Sequence, residues 1–288
     1  MKLNVIVQVA LVIAEGQANA LKYASGYHAK IGIPLANRFR LAEEKGENTL
    51  IQRIAGGNVV DISQVPYHVA VLMKLFSVYW SFCGGTLISP TRVLTAAHCY
   101  DQDTFQIEFI QTVHESNWIF TGGERRFTTD IEIHPKWKDM SLWDGEADLA
   151  IVRIDAVSLS NVIQPVALPS NDFSSDNVGQ VVIATGYGLP YEDADLDGPY
   201  HLAAVTMPII ESSECFKNMG SFMPTDQICT SNVGGRGLCV GDDGGPLIQI
   251  IRGVHTLIGV GAYFSFPCGS GPSSFTRVAN HLPWITSN

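Results

Sequence analysis

Three short stretches of the chain carry side chains suited to moving protons and holding developing charge. LTAAHC places His98 beside Cys99, and DLAIVRI places Asp148 at the start of a strand-like run. CVGDDGGPL, residues 239 to 247, wraps glycines around Asp242 and Asp243. Histidine has an unperturbed pKa near neutrality, so His98 is a candidate base. A carboxylate such as Asp148 can orient an imidazole and stabilise its charged form. Glycines let a turn bend sharply enough to aim backbone N–H groups at one point. Taken singly, each stretch has a plainer reading: a histidine next to a cysteine is more often packed than catalytic.

Residues spread this widely along the chain must be brought together by the elements around them. VPYHVAVLM, GGTLISP, RVLTAA, LAIVRI, VVIATGYG, GPLIQII and HTLIGVGAYF are short, apolar and bounded by turns, as strands are. Long helical periodicity is nearly absent, and Gly is abundant at 27 residues. Near the end, Val278, Leu282 and Ile285 recur at spacings of four and three, which predicts a short terminal helix. Strands through both halves followed by one helix predict an all-β chain whose edges are buried in closed or nearly closed barrels.

The first 20 residues, MKLNVIVQVALVIAEGQANA, read as a signal peptide with a small-residue cleavage site at Ala18-Asn19-Ala20. The apolar run is too short to span a bilayer. Secretion to the extracellular space is therefore expected. Residues 21–53 are charged, with AEEKGEN and a final IQR, and read as a propeptide cut after Arg53, the alternative being an N-terminal arm with an incidental arginine. Residues 54–288 then form one domain. Six cysteines fit an oxidising compartment, and no CxxC pair supports a zinc site. Six cysteines allow fifteen pairings. The formal net charge is −10, with the acidic excess after Arg53, so nucleic acid and acidic membranes are poor partners. No Asn-x-Ser/Thr acceptor for glycosylation occurs.

His98, Asp148 and the glycine-rich turn, in that chain order and with IAGG, CGGTLISP and ATGYG, resemble the chymotrypsin-fold serine proteases. The likeness is nearest to the arthropod chymotrypsin and collagenase-like branch and covers residues 54–288. It implies two six-stranded antiparallel β-barrels with a short C-terminal helix and a site between the barrels. It implies the disulfides Cys83–Cys99, Cys215–Cys229 and Cys239–Cys268, each worth ~3 kcal/mol for a loop near fifteen residues. By the same resemblance, His98 and Asp148 are catalytic, and the N–H groups of Gly241 and Asp243 form an oxyanion hole. An amine freed on Ile54 by cleavage would pair with Asp242. The specificity pocket would have Gly237 as floor and Ser273 on a wall, both uncharged.

One residue departs from that pattern. The family turn reads Gly-Asp-Ser-Gly-Gly-Pro, and here it reads Gly241-Asp242-Asp243-Gly244-Gly245-Pro246. A carboxylate attacking an amide would form a mixed anhydride, higher in energy than an ester. Asp243 is expected to be non-functional as a nucleophile and to pair with His98 instead. Ala262 stands where the family has a serine that bonds the triad aspartate, and Phe264 stands where it has a glycine beside the substrate. The expectation is a non-catalytic homologue that binds peptides, inhibitors or partner proteases as a monomer, without cofactor or metal. The alternative is a secreted endopeptidase of chymotrypsin or collagenase-like specificity. Asp193, Asp195, Asp197 and Gly198 follow EF-hand spacing, but the twelfth position is Ala204, not a bidentate Glu, so a solvated acidic loop is expected. His134-Pro135-Lys136-Trp137 reads as a surface turn with a packed Trp.

Overall fold

The structure, a computed structural model, describes residues 26–46, 54–100, 106–138, 146–170, 177–191, 194, 201–219 and 224–288. The expected signal peptide, Arg53, and Asp193, Asp195 and Asp197 lie outside the described residues.

The first half builds one curled sheet. In ladder order it runs β6 (Glu124–Thr128), β5 (Ile107–His114), β2 (His68–Leu75), β3 (Tyr79–Ser89), β4 (Arg92–Thr95), β8 (Ala150–Arg153) and β7 (Ile131–Ile133). Its two edges, β6 and β7, are successive in the chain, so the curl is completed by the chain rather than by a ladder. The second half closes fully. β10 (Ala203–Ile210), β11 (Gln227–Thr230), β14 (Ser273–Arg277), β13 (Val254–Phe264), β12 (Pro246–Ile251) and β9 (Val181–Gly186) form a ring, because β9 also pairs with β10. A two-residue strand, β1 (Asn58–Val59), joins β10 on the outside. This is the chymotrypsin fold, and all seven strand-like runs of the sequence are strands in it.

Alternation explains the second barrel. Ala203, Val205, Met207 and Ile209 of β10 point inward and are buried, while their neighbours are not. They join Leu247, Ile258 and Phe275 in one core. In β2 nearly every residue is buried, because a second layer covers its outer face. Leu75 packs there on Ile33, which belongs to a helix outside the barrels.

That helix, α1 (Ile33–Lys45), was not signalled by the sequence reading of residues 21–53. It follows a π-turn at His28–Gly32 and stops at Gly46, whose φ of 66° is the left-handed conformation that glycine adopts at helix ends. A second helix, α2 (Ser212–Met219), was also unanticipated. The terminal helix was expected. Val278 lies in a 3-10 turn, Leu282 and Ile285 lie in α3 (Leu282–Ser287), and all three are buried.

The His134 stretch does form a turn, but His134 itself is buried, contrary to a surface reading. Its ring packs edge-on to His281 at 4.8 Å and lies 4.5 Å from Trp284.

Candidate active site

His98 sits on a 3-10 turn, Ala97–Tyr100, directly after β4, and the Cys83–Cys99 disulfide ties that turn to β3. Asp148 precedes β8. The β4–β8 ladder, with Thr95 opposite Ala150, sets the two residues side by side. The His98 backbone N–H donates to Asp148 Oδ1 at 2.8 Å, and Nδ1 lies 2.6 Å from Oδ2. On the opposite edge of the ring, Nε2 is 3.5 Å from Asp243 Oδ1. Burial alone would depress the His98 pKa. The charge and hydrogen bond of Asp148, then the bond and charge of Asp243, outweigh burial and raise it to about 10. The imidazole is thus a cation at neutral pH, held between two carboxylates.

The turn that carries Asp243 is braced from several sides. Cys239 bonds Cys268, and Gly84 N–H donates to the Asp243 carbonyl at 2.7 Å. Gly244 has a φ of 76°, and a Cβ there would lie 2.5 Å from Thr95 Oγ1. Only glycine fits that close approach. Asp242 is fully buried; Oδ1 accepts from Gly188 N–H at 2.8 Å and Oδ2 from Cys239 N–H at 2.9 Å. The Gly188 carbonyl in turn accepts from Ile54 N–H at 3.5 Å, so Gly188 joins Ile54 to Asp242. Ile54 is fully buried and has a φ of 49°, an outlier for a β-branched residue.

Two backbone donors on the turn stand open. Neither Gly241 N–H nor Asp243 N–H donates to another described residue. Asp243 Oδ2 is buried and has no hydrogen-bond partner among the described residues.

The residues expected to form a pocket are together. Ser273 is buried, and its Oγ accepts from Leu238 N–H at 2.9 Å. A Cβ on Gly237 would lie 2.9 Å from the same Oγ. Phe264 is the register partner of Ser273 across the β13–β14 ladder, so both side chains leave the sheet on one face. Phe264 packs on the core that contains Leu238 and Phe275. Ala262 falls at a bulge between Gly261 and Tyr263.

The sequence reading missed what covers the cleft. Tyr27 donates its hydroxyl to the Phe82 carbonyl at 2.7 Å, and its ring meets that of His98 edge-on at 5.5 Å. Leu35 of α1 reaches the turn, with its Cδ2 2.6 Å from where a Gly241 Cβ would stand. The signal was present: apolar Ile33, Ala36, Phe39 and Ala42 recur every three residues, with Pro34 at the start of the run and Gly46 after its end.

Cys83, His98 and Cys99 are the one close group of metal-ligating types among the described residues. The two sulfurs are bonded to each other, so neither offers a thiolate. All three disulfides match the pairing implied by resemblance. No helix among the described residues is long and apolar enough to cross a membrane.

With barrels, disulfides and site in this arrangement, the chain is a trypsin-like serine protease family member. The trypsin family profile matches residues 54–285. Brachyurin of Leptuca pugilator is 36% identical over 208 residues, 71% of this chain and 86% of that protein. Serine protease 1 of Drosophila melanogaster is 32% identical over 244 residues, 82% of this chain and 85% of its own. Among solved structures, HL collagenase superposes with a TM-score of 0.71 at 25% identity, covering 82% of this chain and 98% of that one.

Proposed function

We propose that the chain is a secreted serine-protease homologue that binds peptides, inhibitors or partner proteases without cutting them. The observation that carries this reading is the Asp243 carboxylate, 3.5 Å from His98 Nε2. In a working triad that nitrogen must be unprotonated, to take a proton from a hydroxyl. Here it faces an anion that favours the imidazolium. Position 243 supplies no hydroxyl, and removing the nucleophile of such a triad costs about 10⁶ in turnover. The loss is compounded, because a fixed negative charge adjoins the donors that would hold an oxyanion.

The second reading is an active endopeptidase. The names of the curated relatives favour it, as do the His98–Asp148 geometry and the open N–H groups at 241 and 243. The test is to cut purified protein after Arg53, confirm Ile54 as the new terminus, strip the body of residues 26–46, and measure peptide hydrolysis and fluorophosphonate labelling. Binding without turnover or label is the expected result. Turnover in the ordinary enzyme range of ~1–10³ s⁻¹ would overturn it.

A further inference from the structure

We propose that residues 26–46 are a ligand of the cleft carried by the chain itself, one that stays seated after the chain is cut at Arg53. The inference rests on the binding reading only for what the cleft is for.

The contacts run the whole length of the segment. At one end Tyr27 bonds the Phe82 carbonyl and lies edge-on to His98. His28 is buried, with Nδ1 2.9 Å from Ser81 Oγ. Gly32 packs its backbone on the strand so tightly that a Cβ would collide with Ser81 Oγ. Leu35 covers Gly241, and the Phe39 ring packs at a tilt on that of Phe82 with centroids 5.1 Å apart. Ile33, Leu35, Ala36, Phe39 and Ala42 are all buried. At the far end the Glu43 carboxylate accepts from Ile119 N–H, Phe120 N–H and the Thr121 hydroxyl, at 2.9 to 3.1 Å.

This is a groove filled by a matching helix, not an arm lying on a surface. Helix-in-groove recognition depends on apolar anchors at helical spacing; α1 presents them, with polar anchors at Tyr27 and His28 ahead of it and at Glu43 near its end. Glu43 holds residues 119–121 and Ile33 packs on Leu75; the remaining anchors fall on β3, His98 and the 239–245 turn, which any ligand spanning this part of the cleft must also touch. Cutting the chain after Arg53 leaves every one of these contacts intact. Opening the cleft therefore takes a second event, displacement by a ligand that competes for the same groove. By the chemistry of the anchors, that ligand is a short amphipathic helix led by an aromatic residue.

The test uses the full chain with an enteropeptidase site placed over residues 49–53, so that cutting leaves Ile54 at the new terminus. On size exclusion the wild-type fragment should travel with the body. Phe39→Asp sets a carboxylate against the apolar Phe82 ring and should weaken retention ~100-fold or more. A labelled 26–46 peptide of wild-type sequence should rebind the body freed from the Phe39→Asp protein. Hydrogen exchange across residues 239–245 should be slow with the wild-type fragment in place and faster once it leaves. Immediate separation of the wild-type fragment on cutting would overturn the proposal, as would unchanged exchange in the turn after release. Neither readout needs catalysis, so finding peptidase activity in the freed body would defeat the binding reading and leave this inference standing.

Discussion

His98 Nε2 faces Asp243 Oδ1 at 3.5 Å, and this contact links charge to stability. An unfolded histidine titrates near 6.5, whereas folded His98 titrates at about 10. Below pH 6.5 both states hold the proton and the stabilisation is complete. Between 6.5 and 10 only the folded state holds it, so the advantage shrinks as pH rises and is gone above 10. The melting temperature should fall from pH 7 to pH 10. Asp243→Asn, which removes one charge that holds the proton, should flatten that slope. Nuclear magnetic resonance of the imidazole should show His98 protonated at pH 8 in the parent, with a lower pKa in the variant.

Restoring a hydroxyl should not by itself restore hydrolysis. Asp243→Ser leaves Phe264 on the pocket side of the β13–β14 ladder, opposite Ser273. Peptide hydrolysis by that variant should stay within ~10-fold of the parent, because a substrate held out of register gains little from a nucleophile. With residues 26–46 removed by cutting and displacement from all three proteins, the double variant Asp243→Ser with Phe264→Gly should rise well above both. A fluorogenic peptide assay on all three proteins decides it.

Ile54 is strained while the chain is whole. Its φ of 49° exists only because a residue precedes it; cutting after Arg53 abolishes that dihedral. Release of strain at such a position is worth ~1–3 kcal/mol. The freed amine would also stand near the buried Asp242, across Gly188. The cut protein should therefore melt higher than the uncut one, by ~2–4 °C for each kcal/mol at this size. Scanning calorimetry on the two forms is the measurement. A lower melting temperature after cutting would contradict the strain argument.

Glu43 is the polar anchor of α1. Glu43→Ala strips the acceptor from the N–H groups of Ile119 and Phe120 and should weaken docking by ~1–3 kcal/mol. Glu43→Gln keeps one acceptor oxygen and should cost less. Hydrogen exchange should quicken in residues 33–45, 119–121 and the 239–245 turn, with the strands of the second barrel unaffected.

Where the sequence was legible, it was so because local chemistry repeats or is rare. Val278, Leu282 and Ile285 revealed the terminal helix by their spacing. Alternation and turns marked the strands. The motifs around His98, Asp148 and Asp243 carried a family likeness that also supplied the disulfide pairing. Residues 26–46 carried a weaker signal. Ile33, Ala36, Phe39 and Ala42 repeat along one helix face, but the charged AEEKGEN run outweighed that period. The covering of Gly241 by Leu35 is a contact between residues 206 positions apart in the chain. No local pattern encodes it.

No cysteine precedes Arg53, so once the chain is cut nothing covalent keeps residues 26–46 with the body. A tethered segment meets its groove at an effective concentration of roughly millimolar, whatever the bulk concentration. A severed one meets it at the concentration of the protein itself. Cutting therefore leaves the cleft covered but makes its cover exchangeable: a competing ligand contends with a tethered segment before the cut and only with a free one after it.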